Sequence, residues 1–202
     1  MYRLRSAAAT LILLAALFGA AVPIQARIMV VPTADVLNDG TIELRLYNHR
    51  GRTYLSGAAG MFGTLQVEAT GIFSADTVVR SALQLALVKE QQDLPGLAVG
   101  VEFDDSVLGF YGVVSKQLGL AGLRGHVAWG SGRFSKGMVG VSYVVNPVQV
   151  NSNSPIITVG AEYDGNGFNG GISAHFTPNL SAHVYLSDFQ SLGAGLKYRF
   201  AF

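Results

Sequence analysis

The chain has no cysteine. That excludes a disulfide framework, a thiolate metal site and a lipid-modified N-terminal cysteine. It is also short of charge. Only 13% of its 202 residues are Asp, Glu, Lys or Arg, although 50% are hydrophobic. A soluble domain usually carries about 25% charged residues. Beyond residue 26 there is no apolar run approaching the roughly 20 residues of a spanning helix. There is also no cluster of basic side chains, so nothing in the chain fits a nucleic-acid surface. A chain rich in apolar residues but without apolar runs distributes them at alternate positions. A β-barrel in lipid does this.

The N-terminus reads as an export signal. Arg3 and Arg5 precede Ala7–Val22, which is uncharged and polar only at Thr10; Pro23 and Ile24-Gln25-Ala26 follow. A basic start, a short apolar core and a small residue at the cut describe a secretory signal peptide. The expectation is a signal peptide over residues 1–26, cleaved after Ala26, and one domain over residues 27–202. The apolar stretch is too short for a membrane anchor. Arg3 and Arg5 leave with this segment and no acid does, so the formal charge of +1 becomes −1.

The last residues carry the clearest pattern. In Leu192–Phe202, the side chains of Leu192, Ala194, Leu196, Tyr198, Phe200 and Phe202 share one face of a strand. Gly193, Gly195, Lys197, Arg199 and Ala201 share the other. An apolar outer face with a basic or tiny inner face fits the closing strand of an outer-membrane barrel. Tyr198, Phe200 and Phe202 are then the candidate signal read by the barrel-assembly machinery.

Strands are expected near Thr41–His49, Thr64–Phe73, Arg80–Glu90, Gly96–Asp104, Gly109–Gln117, Gly122–Gly130, Gly137–Val145, Ile156–Asp164, Phe168–Phe176, Leu180–Ser187 and Leu192–Phe202. Turn residues separate them, as in Asp93-Leu-Pro-Gly96, Asn146-Pro147 and Thr177-Pro-Asn179. Arg50–Met61 and Val148–Pro155 read as longer loops. Ser74–Gln92 is compatible with an amphipathic helix, but Leu83, Leu85 and Leu87 opposite Gln84 and Glu90 fit a strand in an even meander. Single-chain bacterial barrels have even strand numbers. Ile28–Val31 could supply a short extra strand, or Arg80–Glu90 could drop out. The expected fold is all-β: a single antiparallel up-and-down transmembrane β-barrel of 10–12 strands.

Alternation turns Ile42, Leu44, Leu46, Val99, Val101, Phe103, Val127, Trp129, Ile172, Val184 and others toward lipid. It turns Glu43, Arg45, Glu68, Glu102, Arg124, Glu162, Lys197 and Arg199 inward, four acids against four bases. These eight are the expected lumenal charge network. His126, His175 and His183 also point inward, with His49 at a strand end. Glu102, Glu162 and these histidines invite an enzyme reading, by acid–base or metal chemistry. The histidine spacing matches no metal or catalytic motif, and a narrow lumen must be filled in any case. Packing is the simpler reading. Asp164-Gly-Asn-Gly167 lacks the twelfth-position Glu of a calcium loop and reads as a turn. No catalytic residue, metal site or cofactor is expected.

Val31-Pro-Thr-Ala-Asp-Val-Leu-Asn-Asp-Gly-Thr41, Pro95-Gly-Leu-Ala-Val-Gly100, Gly160-Ala-Glu-Tyr-Asp-Gly165 and Phe168-Asn-Gly-Gly171 resemble the YjbH-like outer-membrane proteins. The resemblance implies a structural or accessory envelope role in exopolysaccharide production or export, with polysaccharide-export components as partners beside outer-membrane lipid. The rivals are a passive pore, an outer-membrane enzyme with a lumenal His/Glu site, and a soluble secreted β protein.

Overall fold

A computed structural model describes residues 29–104, 107–146 and 154–202. The expected signal peptide, and most of the expected loop over Val148–Pro155, lie outside these residues. Twelve strands follow one another: β1 (Thr41–His49), β2 (Arg52–Met61), β3 (Leu65–Phe73), β4 (Thr77–Val88), β5 (Gly96–Asp104), β6 (Val107–Gln117), β7 (Leu123–Gly130), β8 (Met138–Val144), β9 (Ile156–Tyr163), β10 (Phe168–His175), β11 (Leu180–Ser187) and β12 (Ser191–Ala201). Each pairs antiparallel with its sequence neighbours, and β1 pairs with β12 to close the ring. The fold is therefore a closed up-and-down barrel of twelve strands. Closure runs from Thr41 opposite Ala201 to His49 opposite Gly193. Among the described residues the one helical element is a 3-10 turn, Gly132–Phe134.

Side-chain polarity follows the pleat. In β1, Glu43 is buried while Leu44 and Leu46 are 45% and 50% exposed on the outside. Val99, Phe103, Val127, Trp129, Ile172, Val184 and Leu196 are likewise exposed and apolar. Gln66, Gln84, Glu102, His126, Glu162 and Asn169 are buried inside. A soluble protein has the opposite arrangement.

One element differs from the sequence reading. The twelfth strand does not come from Met29–Val31, the described part of the expected Ile28–Val31. It is β2, within the stretch expected to be a loop, Arg50–Met61. Arg50 and Gly51 take φ of 50° and 71°. Two central residues at positive φ make the tight hairpin turn whose twist matches the flanking strands. The chain then returns at once, Arg52 opposite His49. Gly57, Ala58, Ala59 and Gly60 gave β2 no apolar alternation to read. The other ambiguous stretch is a strand: β4 turns Leu83, Leu85 and Leu87 outward and Gln84 inward, with a bulge between Ala86 and Val88.

Met29–Val31 enter the barrel instead of joining its wall. Val31, Pro32, Thr33, Ala34, Val36 and Leu37 are all buried. Residues 29–38 thus form a strap inside the lumen, leaving beside Gly60, where any side chain would collide with the backbone of Leu37 and Asn38. Val31 and Ala34 pack with Ala98, Tyr111, Val113, Ala128, Phe134 and Met138 in a small apolar core. The 3-10 turn folds Phe134 inward to meet the Tyr111 ring at 4.4 Å. The barrel interior combines a polar network with this small apolar core.

Candidate functional site

The strap's backbone is held by wall side chains. Glu162 on β9 accepts N–H bonds from Met29 (3.3 Å), Val30 (2.8 Å) and Val31 (3.2 Å). Ser115 on β6 accepts from Ala34 at 2.8 Å, and Gln66 on β3 accepts from Leu37 at 3.0 Å. Gln84 on β4 donates its amide to the carbonyls of Thr33 (2.9 Å) and Asp35 (3.0 Å). Buried backbone groups need such partners, and here they come from four strands. β3 and β9 are six places apart in the ring of twelve, so the strap spans the full diameter.

One strap side chain adds an ion pair. Arg124 on β7 grips the Asp35 carboxylate with both terminal nitrogens, at 2.6 and 3.2 Å, and reaches Glu90 at 2.5 Å. The two-pronged geometry is the one guanidinium favours with carboxylate.

The remaining network residues fall into separate groups. Glu43 on β1 meets Arg199, Arg45 (3.2 Å) and Lys197 (3.9 Å), and Arg45 continues to Glu68 at 2.7 Å. Glu102 on β5 is held by Arg133 at 2.5 Å and lies 3.8 Å from Arg80, which reaches Asp104 at 2.5 Å. Eight residues were picked out by alternation; Asp35, Arg80, Glu90 and Arg133 were not. Asp35 precedes the first strand and Arg133 sits in a turn, so strand periodicity could not reveal them; Arg80 and Glu90 share the parity of the inward Gln84, and alternation does reach them.

His126 is held by serines, while His49 and His183 share one tyrosine. Ser115 and His126 Nδ1 are 2.8 Å apart, with Ser142 at 3.5 Å from Nε2. His183 and His49 sit against the Tyr185 ring, at 6.0 and 5.2 Å. Glu162 is engaged by the strap and Glu102 by arginines. Among the described residues no three of His, Asp and Glu converge as metal ligands.

A cavity of about 170 Å³ remains beside the strap. Met29 and Val30 form one side. Arg45, Arg80 and Lys197, with Glu43 and Glu68, supply its charges. Tyr47, Tyr54, His183 and Tyr185 give it an aromatic wall, with Tyr47 and Tyr54 stacked at 4.5 Å. Gly193 faces Tyr185 across β11 and β12, and a side chain there would run into the ring.

Outside the lumen, Asp164 organises the turn between β9 and β10. Burial opposes its ionisation, but the Asn166 N–H, the Asn169 side chain and the Gly167 N–H outweigh it, with the Arg133 charge adding to them. Its carboxyl is held below the ordinary aspartate range.

No protein-family model and no curated protein matches the chain. Solved structures do. A KdgM porin in complex with disordered oligogalacturonate is similar over 80% of this chain and 99% of that one, at 10% identity and a TM-score of 0.55. A second KdgM porin structure has the same coverage and TM-score at 11% identity. A NanC porin structure matches 80% of this chain and 100% of that one, at 12% identity and a TM-score of 0.50. These neighbours overturn the YjbH-like resemblance, and the exopolysaccharide role it implied loses its support. The motifs that carried it are strap, turn and lumen-filling residues: Val31–Thr41 threads the lumen and enters β1, and Gly160–Gly165 ends β9 and starts its turn. Small barrels need such residues for geometry whatever their role. The chain shares its fold with small porins of the KdgM and NanC type.

Proposed function

We propose that this protein is a small outer-membrane pore for hydrophilic solutes, not an enzyme or an accessory envelope protein. The inverted polarity of the closed barrel carries this reading. Its outer surface is apolar, as in Leu46, Val99, Trp129, Ile172 and Leu196, which suits lipid and exposes no unpaired sheet edge. Its inside is lined by paired acids and bases around a polar and aromatic cavity. The fold shared with KdgM and NanC porins supports transport over catalysis.

The test is reconstitution of the full chain in planar bilayers. Discrete ion-conductance steps are expected from protein whose gel migration changes on boiling. Folded protein in the aqueous fraction, or a folded barrel that conducts in no variant, overturns the reading.

A further inference from the structure

We propose that the lumen is a binding track for extended peptide, which the chain's own residues 29–38 occupy in cis, closing the pore whenever they are seated and opening it when they leave. The closing half of this rests on the pore reading above; the binding half does not.

The contacts are those of ligand recognition. Wall side chains address the strap mainly through its backbone: three N–H groups to Glu162, one each to Ser115 and Gln66, and two carbonyls to Gln84. Such contacts serve any extended peptide of suitable length. Arg124 adds a preference for a carboxylate at one position. The apolar patch of Ala98, Val113, Ala128 and Met138 takes small or branched side chains such as Ala34 and Val31. The ligand class is therefore an extended peptide with small apolar side chains and one acid. A strap on the same chain competes at an effective concentration on the order of millimolar, so an external peptide meets an occupied track.

The absence of cysteine makes a clean test possible. A Cβ placed on Gly96 would lie 3.3 Å from the Ala34 Cβ, close to the roughly 3.5–4.5 Å of disulfides. The full-length Ala34→Cys/Gly96→Cys chain should therefore cross-link on oxidation. Oxidation should suppress conductance at least tenfold on the order expected from a locked cis occupant, and reduction should restore it. A second full-length chain, Val31→Asp/Asp35→Arg, places a charge in the apolar core and a cation against Arg124, and so expels the strap without touching the wall. Folding is checked by heat-modifiable migration. This chain should conduct more than wild type and bind a labelled peptide of residues 29–37 saturably, and the peptide should block its current. Adding Arg124→Gln, which removes the guanidinium without creating an acid for the strap's introduced arginine, should weaken that binding at least tenfold, the loss of a bidentate charged contact.

A folded Cys pair that does not cross-link, or cross-links without change in current, overturns the plug. An expelled-strap chain that conducts but neither binds nor is blocked by peptide overturns the track while the pore stands. A chain that binds peptide but never conducts removes the pore and leaves the track.

Discussion

Glu43 and Arg50 show how little an ion pair's existence says about its worth. Glu43 is 5% exposed and meets Arg199, Arg45 and Lys197. Removing it takes away the acid that these three cations share, although Arg45 keeps Glu68. Glu43→Ala should cost about 3–5 kcal/mol, the usual effect of leaving buried charge uncompensated, read as a lower temperature for the gel shift. Arg50 pairs with Asp188 at the rim, with side chains 49% and 38% exposed. Arg50→Ala should cost about 0–1 kcal/mol by the same assay. Asp164 belongs at this scale too. Its lowered carboxyl makes the β9–β10 turn most stable above the ordinary aspartate range, about 3.9. That support is lost as pH falls through the lowered value. Unfolding of wild type should accordingly become easier toward pH 3, and Asp164→Ala should flatten that part of the profile.

Among elements, the strands with alternating large apolar residues were readable from the chain because lipid-facing and lumen-facing positions differ in kind. β1, β5 and β11 run between the residues that alternation picks out. β2 was not readable: Gly and Ala occupy both faces, and its turn is set by positive φ at Arg50 and Gly51. The strap was not readable either. It has no period, and its partners are scattered at 66, 84, 115, 124 and 162, close only once the ring has closed. The strand-borne part of the charge network was legible, Arg80 included through its parity with Gln84, while Asp35 on the strap and Arg133 in its turn were not. The outward face permits a direct check. Leu196 pairs with Leu46 across the β1–β12 seam, and both are about half exposed. Leu196→Arg should destabilise the barrel in lipid by about 2–4 kcal/mol if it lies at mid-depth, measured by denaturant titration in vesicles. The same change should matter much less in a detergent that adapts to the surface.

For the whole molecule, a barrel of this size is a compromise between an open lumen and a filled one. The wall alone would enclose paired charges and water. The strap and the inward Phe134 replace part of that water with a dry core. A modest cavity against an aromatic wall remains beside it. The strap also imposes an order of events. It directly precedes β1, the strand that seals the ring against β12, and Phe202 donates its N–H to the Gly40 carbonyl just where the strap departs. A sealed cylinder is a poor object to thread from one end. The strap is most easily laid down while the seam is open, as cargo around which the last two strands zip, so the moment of closure decides whether the cylinder seals with the strap inside it.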